Sequence, residues 1–258
     1  MSIAEIFSLD RKVAVVTGAG MGLGRTFAAT LAEAGAHVVC ADIEVAAASE
    51  TARQILDSGG SAAAVRLDVT QEAEVASVMA GVVAQHGRLD IAVNNAGILE
   101  PSKPAHELEL AEWDAVLAVN LRGVFLCARE AVKPMLQQRS GKIINVASII
   151  GLVGADHPIP AYAASKGAVV NLTRELAIEY APYHINVNAL APGYHGPTRL
   201  DRRYDHNPAW YARTKSLIPF GHFAKVESLR GSILYLASSA SDYVTGHILV
   251  VDGGYVAR

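Results

Sequence analysis

Short apolar runs alternate with longer amphipathic ones along most of this chain. Residues 13–17, 38–42, 63–67, 89–94, 142–148, 185–190 and 248–251 are nearly continuous in Val, Ile, Ala and Leu. Unbroken runs of this length suit strands covered on both faces. Between them the apolar spacing lengthens to a helical period. The first run leads through a Gly-rich turn into a helix to about residue 34. Further helices are expected over 44–56 (stopped by Gly59-Gly60), 72–86, 110–138 as one long helix, 162–180 and 226–237. Strands that alternate with helices imply right-handed crossovers and a parallel sheet. The expected fold class is α/β: one doubly wound domain over 1–258, with seven parallel strands and helices on both faces. One stretch breaks the rhythm. Residues 192–225 are polar and aromatic, with His195, Tyr204, His206, Trp210, Tyr211 and His222. An insertion after a strand's carboxyl end lies over the ligand crevice of an open α/β sheet, so 194–225 is expected to be a substrate lid.

Composition narrows the partners. The 258 residues are 51% hydrophobic, enough for a large core. Lys plus Arg number 22 against 25 Asp plus Glu, a net charge of −3 with no basic run. This argues against a nucleic-acid or anionic-membrane partner. Cys40 and Cys127 each sit among apolar residues and read as buried thiols in a reducing compartment, not a disulfide. The N-terminal stretch carries Glu5 and Asp10 without a basic start and apolar run, so no secretory signal is expected. No run reaches the ~18 apolar residues of a membrane span. A soluble, cytoplasmic protein is expected.

Three features carry candidate chemistry. Thr17-Gly18-Ala19-Gly20-Met21-Gly22-Leu23-Gly24 lies between the first strand and first helix. Glycines let backbone approach a phosphate, and the helix N-terminus supplies free N–H groups and partial positive charge. In a βαβ unit this points to a dinucleotide. Asp42 ends the second strand, where an acid accepts the adenosine ribose hydroxyls and repels a 2′-phosphate. Met21 and Ile43 add no cation there, and Arg25 is expected to face solvent, so NAD is favoured over NADP. Tyr162 and Lys166 stand four apart on one helix face. An ammonium beside a phenol lowers its pKa and makes it a usable proton donor and acceptor.

These motifs occur in an order that resembles the short-chain dehydrogenase/reductase family, from about residue 10 to the end. Thr17-Gly18-x-x-x-Gly22-x-Gly24 is similar to its cofactor turn, and Asp68-Val69 to its adenine contact. Asn94-Asn95-Ala96-Gly97 is similar to the segment that closes the fourth strand. Asn120 falls where the family keeps a helix-distorting Asn, Ser148 at the end of the fifth strand, and Tyr162-x-x-x-Lys166 follows. Pro192-Gly193 and Asp252-Gly253-Gly254 complete the set.

The resemblance implies a Rossmann-type oxidoreductase that transfers hydride between NAD(H) and a secondary alcohol or ketone. It implies Tyr162 as general acid–base and Lys166 as the group that lowers its pKa and bonds the nicotinamide ribose. Ser148 would polarise the carbonyl, and Asn120 would hold a water that links Lys166 to bulk. The implied cofactor contacts are Gly18, Met21, Gly22, Leu23, Gly24, Asp42, Ile43, Asp68, Val69, Asn94, Ala96, Gly97, Tyr162, Lys166, Pro192, Gly193, His195 and Thr198. Candidate substrate contacts are Ser148, Ile150, His157, Tyr162, Tyr194 and His195. The family's pairing through the 110–138 and 162–180 helices implies a homotetramer.

Two departures lie at the substrate mouth. Ser148 and Tyr162 are about one residue further apart than the family's habit, and Thr198 comes about one residue late after Pro192-Gly193, with His195 where a small aliphatic residue is usual. The histidines His157, His195, His206 and His222 lack metal-ligand spacing and read as solvated loop residues, with His157 and His195 the two placed to meet a substrate hydroxyl or carboxylate. The small-molecule substrate ranked first is a sugar, sugar acid or polyol. A 3-oxoacyl-thioester reductase, a hydroxysteroid dehydrogenase and a non-catalytic NAD-binding subunit stand as alternatives.

Overall fold

A computed structural model describes residues 2–196 and 207–258. A short helix, α1 (Ile3–Phe7), precedes the first strand. The sheet strands are β1 (Val13–Thr17), β2 (His37–Asp42), β3 (Ser61–Arg66), β4 (Ile91–Asn94), β5 (Gly141–Val146), β6 (Ile185–Pro192) and β9 (Ile248–Val251). All neighbours pair in parallel, in the order β3-β2-β1-β4-β5-β6-β9. The expected seven-stranded, doubly wound sheet is the one observed.

Alternation along the strands divides the core. Val16, Cys40, Val93 and Ile144 point to one face, where they meet Phe27 and Leu31 of α2 (Gly22–Glu33), Ile55 of α3 (Val45–Asp57) and Ile233 of α9 (Arg230–Ala237). Val15, Val39, Ala92 and Ile143 point to the other. There they meet Met79 of α4 (Glu72–His86), Cys127 and Met135 of α6 (Val124–Gln138), and Leu176 of α7 (Pro160–Tyr180). Cys40 and Cys127 therefore lie on opposite sides of the sheet and are free thiols.

The strand order reverses between β1 and β4. Their carboxyl ends splay their loops apart there, and such a switch point is where open α/β sheets hold ligands.

Three expectations on the helices need correction. The span 110–138 is not one regular helix. It is α5 (Leu110–Leu117), a π-helical turn (Ala118–Gly123) and α6. The π-turn centres on Asn120, whose fully buried side chain bonds the Ile98 backbone through both amide atoms (2.8 and 2.9 Å). The span 226–237 begins as a 3-10 turn, Val226–Leu229, before α9. Finally, α7 starts at Pro160, two residues before Tyr162, because proline suits the first helical position.

Within the expected lid, β7 (His195–Gly196) pairs with β8 (Ala224–Lys225), and α8 (Pro208–Ser216) lies between them. Thr198, Tyr204 and His206 lie outside the described residues.

Candidate active site

The Gly-rich turn is shaped by close backbone packing. A Cβ on Gly24 would fall 2.0 Å from the Gly18 carbonyl oxygen and 2.6 Å from Asn95 Nδ2, so no side chain fits there. Gly18 itself takes φ +65°, which glycine adopts without strain. Asn95 clamps the turn from the end of β4. Its amide donates to the carbonyls of Thr17 (2.9 Å) and Gly18 (3.2 Å), and its N–H and that of Ala96 donate to Thr17 Oγ1. Met21, at the start of α2, gives no side-chain cap. The first N–H groups of that helix are left for a phosphate.

A cleft of about 350 Å³ runs from this turn across the sheet's carboxyl edge. At one end stand Asp42, half-exposed Met21 and Ile43, and Asp68 with Val69. The Asp42 carboxylate accepts the N–H of Gly20 at 2.8 Å and of Glu44 at 3.0 Å. The Asp68 carboxylate accepts the N–H and hydroxyl of Thr70. Gly18, Gly22, Leu23, Gly24, Ala96 and Gly97 line the middle. Ser148, Ile150, His157, Tyr162, Lys166, Pro192, Gly193, Tyr194 and His195 line the far end.

The far end is built on two elements. Ser148, just past β5, is buried and caps a 3-10 turn, Ile149–Gly151, by accepting the Ile150 N–H at 3.1 Å. Tyr162 is in the first turn of α7, and its phenol stands beside the Ser148 hydroxyl in the cleft wall. Lys166 is 3% exposed, and its Nζ donates to the Val146 carbonyl at 2.7 Å.

Burial pushes the Lys166 ammonium down to about 8. It also pushes the Tyr162 phenol above its usual value; the Ser148 hydroxyl opposes this and the Glu100 charge adds to it. The expected ammonium–phenol pairing is thus modified. A buried ammonium needs an acceptor, Lys166 takes the end of β5, and its Nζ stands over the phenol ring, 5.6 Å from the centroid.

Asn120 sits behind this pair. Besides holding Ile98, its Nδ2 donates to Ser165 Oγ at 3.2 Å, and that hydroxyl donates to the Tyr162 carbonyl at 2.8 Å.

Other expected residues lie elsewhere. The Asn94 side chain does not line the cleft: it is 2% exposed and donates to Asn145 Oδ1 at 2.8 Å, while Asn95 takes the cleft position. Strand alternation turns Asn94 inward. Arg25 does not face solvent. It folds back to the Gly20 carbonyl (2.5 Å) and Thr51 Oγ1 (3.1 Å), which bind its guanidinium better than an exposed rotamer would.

His157 and His195 are not solvated loop residues. His157 Nδ1 lies 2.9 Å from Asp156 Oδ1, and its ring packs edge-on against Trp210 of α8 at 5.6 Å. His195 is 4% exposed, with Nδ1 bonded to the Gly193 carbonyl, which fixes its proton there. Burial lowers its pKa, against the Gly193 bond and the nearby Asp252 charge. His222 is exposed, as expected.

Sequence reasoning missed Asn95, Asp156 and Glu100. Asn95 was visible within Asn-Asn-Ala-Gly, and Asp156 stands next to its partner His157; Glu100 acts through partners about sixty residues away. Among the described residues no group of three or more His, Cys, Asp or Glu is placed to hold a metal ion. None of the described helices is long and apolar enough to cross a membrane.

The same architecture and motif order recur in known proteins. A family model described as enoyl-(acyl carrier protein) reductase matches residues 18–256. The cis-4-hydroxycyclohexanecarboxylate dehydrogenase of Sinomonas cyclohexanicum is 44% identical over 95% of this chain and 97% of its own. The 2-dehydro-3-deoxy-D-gluconate 5-dehydrogenase of Escherichia coli (strain K12) is 39% identical over 99% of this chain and all of its own. A crystal structure of a gluconate 5-dehydrogenase from Burkholderia cenocepacia J2315, in complex with NADP and tartrate, superposes with a TM-score of 0.95 over the whole of both chains, at 38% identity. Matched end to end by dehydrogenases and by a fold that closes over one continuous cleft, this chain belongs to the short-chain dehydrogenase/reductase family and is an oxidoreductase acting on CH–OH groups.

Proposed function

We propose that the chain is a single catalytic domain over 1–258 that interconverts a secondary alcohol bearing a carboxylate and its ketone, using NAD(H). The observation that carries the reaction is the meeting of Ser148, Tyr162 and Lys166 at the end of a cleft that begins at the Gly-rich turn. The glycine cradle fits a dinucleotide: Gly18, Gly22 and Gly24 line the cleft with bare backbone, and a Cβ on Gly24 would strike the Gly18 carbonyl and force the turn open. When bound, the nicotinamide exchanges a hydride with the substrate carbon.

The chain's own residues do the rest. Gly18, Met21, Gly22, Leu23 and Gly24 would hold the pyrophosphate, and Asp42 and Ile43 the adenosine ribose. Asp68 and Val69 would border the adenine, and Ala96, Gly97, Pro192, Gly193 and His195 the nicotinamide; Thr198, expected there too, lies outside the described residues. Tyr162 takes the hydroxyl proton in oxidation and returns it in reduction. Ser148 donates to the substrate oxygen, a bond that strengthens as charge develops there. Lys166 would bond the nicotinamide ribose and pass protons towards a water at Asn120.

Asp42 supports NAD over NADP. Its negative charge at that end of the cleft would repel a 2′-phosphate, and Arg25, engaged with Gly20 and Thr51, offers it no cation. Asp156 and His157 support a carboxylate on the substrate. Asp156 orients the imidazole, and the walls beside it, Ile150, Ile159 and Tyr194, are largely apolar. A hydroxy acid of the sugar-acid or carbocyclic kind fits this pairing. Residues 194–225 act as its lid.

Exposed Phe125 and Ile178 on α6 and α7 support pairing into a homotetramer, and two buried free thiols suit a cytoplasmic setting. The test is initial rates with NAD and with NADP over hydroxy acids, polyols, acyl thioesters and steroids, with Tyr162→Phe alongside. Preference for NAD and a hydroxy acid, lost in Tyr162→Phe with NADH binding retained, is the expected result. Preference for NADP, or full turnover by the Phe variant, sinks the reading.

A further inference from the structure

The loop after β4 carries Glu100, a carboxylate 2% exposed to solvent. Its Oε1 accepts the N–H of Ala161 at 2.7 Å, and both oxygens accept the N–H of Tyr162 at 3.1 Å. These N–H groups belong to the first turn of α7, a helix of 21 residues. A helix leaves its first N–H groups unpaired unless something caps them. Here Ile159 provides no side-chain cap, and Pro160 has no N–H to give. A residue about sixty positions earlier therefore does the capping, and with a full charge.

The charge has a second effect. The positive end of the α7 dipole favours ionisation of a phenol in its first turn. A carboxylate bonded to those same N–H groups opposes that field. Among the described residues, the groups that face Tyr162 are the Ser148 hydroxyl, Lys166 across the ring, Glu100 at its backbone, and His157 and His195 along the cleft, with Asp252 beside His195. Glu100 is the anion bonded directly to Tyr162.

We propose that Glu100 is a positioning residue for the reaction: it fixes the turn that carries Tyr162 and, as an anion, sets the pH at which that phenol releases its proton. The proposal rests on the reading of Tyr162 as the acid–base group. The raised pKa of the phenol, to which the Glu100 charge contributes after burial, supports it.

The test titrates the phenolate absorbance of the wild type against Tyr162→Phe, a measurement that needs no substrate, and repeats it in Glu100→Gln and Glu100→Asp. Gln keeps an acceptor and removes the charge. Its midpoint is expected to fall by about one pH unit, with the pH limb of kcat moving the same way and the KM for NAD changing less than about threefold. An unchanged or raised midpoint overturns the proposal. Where Glu100→Gln does not fold, Glu100→Asp carries the test. It keeps the charge, so its midpoint should match the wild type while kcat falls about tenfold through looser placement. A shifted midpoint or a wild-type kcat in that variant overturns it. Full turnover by Tyr162→Phe would instead overturn the reading beneath, and the titration separates the two failures.

Discussion

Gly20 donates its N–H to the Asp42 carboxylate across 2.8 Å, and this closeness leaves no room for a side chain on Gly20. A Cβ there would lie 2.7 Å from the Ala47 Cβ and 2.8 Å from Asp42 Oδ2. The glycine and the acid form one unit: the turn orients the carboxylate, and the carboxylate holds the turn.

Gly20→Ala is therefore expected to displace Asp42. The KM for NAD should rise about tenfold while kcat stays within about twofold, because binding is lost without loss at the reacting atoms. Initial rates with varied NAD decide it. An unchanged KM would mean that Asp42 tolerates the shift.

Gly24 and Gly81 make a contrasting pair. Alanine at Gly24 meets backbone at 2.0 Å and should cost about 1–3 kcal/mol or more, a fall in Tm of roughly 2–12 °C. Gly81, inside α4, has open space around its missing Cβ. Alanine there should stabilise by about 0.5–1 kcal/mol through helix propensity. Calorimetry on both variants checks the signs, and a stabilised Gly24→Ala would contradict the packing.

Asp90 gives a pH prediction. It is buried beneath β1 and accepts the Val13 N–H at 2.9 Å and two bonds from Arg88 at 2.6 and 2.7 Å. Burial alone would raise its pKa; the Arg88 bonds, the Val13 N–H and the Lys12 charge outweigh it and hold the carboxyl below its usual range. A lowered folded pKa means stability that is present above about pH 4 and lost as pH falls through the folded value. Asp90→Asn should be destabilised at pH 7, and its gap from the wild type should close on acidification below about pH 4. Tm measured against pH tests this; a gap that widens in acid is the contrary result.

Thr214 ties α8 to the loop that carries His157. Its hydroxyl, on α8, donates to Asp156 Oδ2 at 3.0 Å, and Asp156 in turn holds His157. Thr214→Val keeps the volume and removes the bond, worth about 1.5–3 kcal/mol to a charged acceptor. The KM for the alcohol should rise about fivefold or more with little change in kcat. A fall in kcat at constant KM would place the effect on chemistry, not on substrate binding.

How far the sequence could be read follows from the range of each interaction. The strands were legible because burial on both faces leaves continuous apolar runs such as residues 13–17. The reaction end was legible because Tyr162 and Lys166 belong to one helix and Ser148 to the end of a strand. The π-turn at Asn120 left little trace in the apolar period, which one wider turn barely disturbs, and was legible only through the resemblance, which puts a helix-distorting Asn there. Arg25 was misread because its partners are a carbonyl and a threonine hydroxyl, which no charge pattern reveals. Glu100 was invisible for a stronger reason. Locally it is an acid in a loop before Pro101, and its meaning comes entirely from Ala161 and Tyr162.

The placement of Cys40 and Cys127 on opposite sides of the sheet has a practical side. Burial pushes both thiols up to about 12, so neither offers thiolate near neutral pH. The native protein should resist alkylating reagents without any cysteine being replaced. A single cysteine introduced at exposed Ser216, at the end of α8, would then be the reactive thiol of the folded chain. A fluorophore or spin label attached there could report on α8 while the enzyme turns over, in an otherwise unaltered sequence.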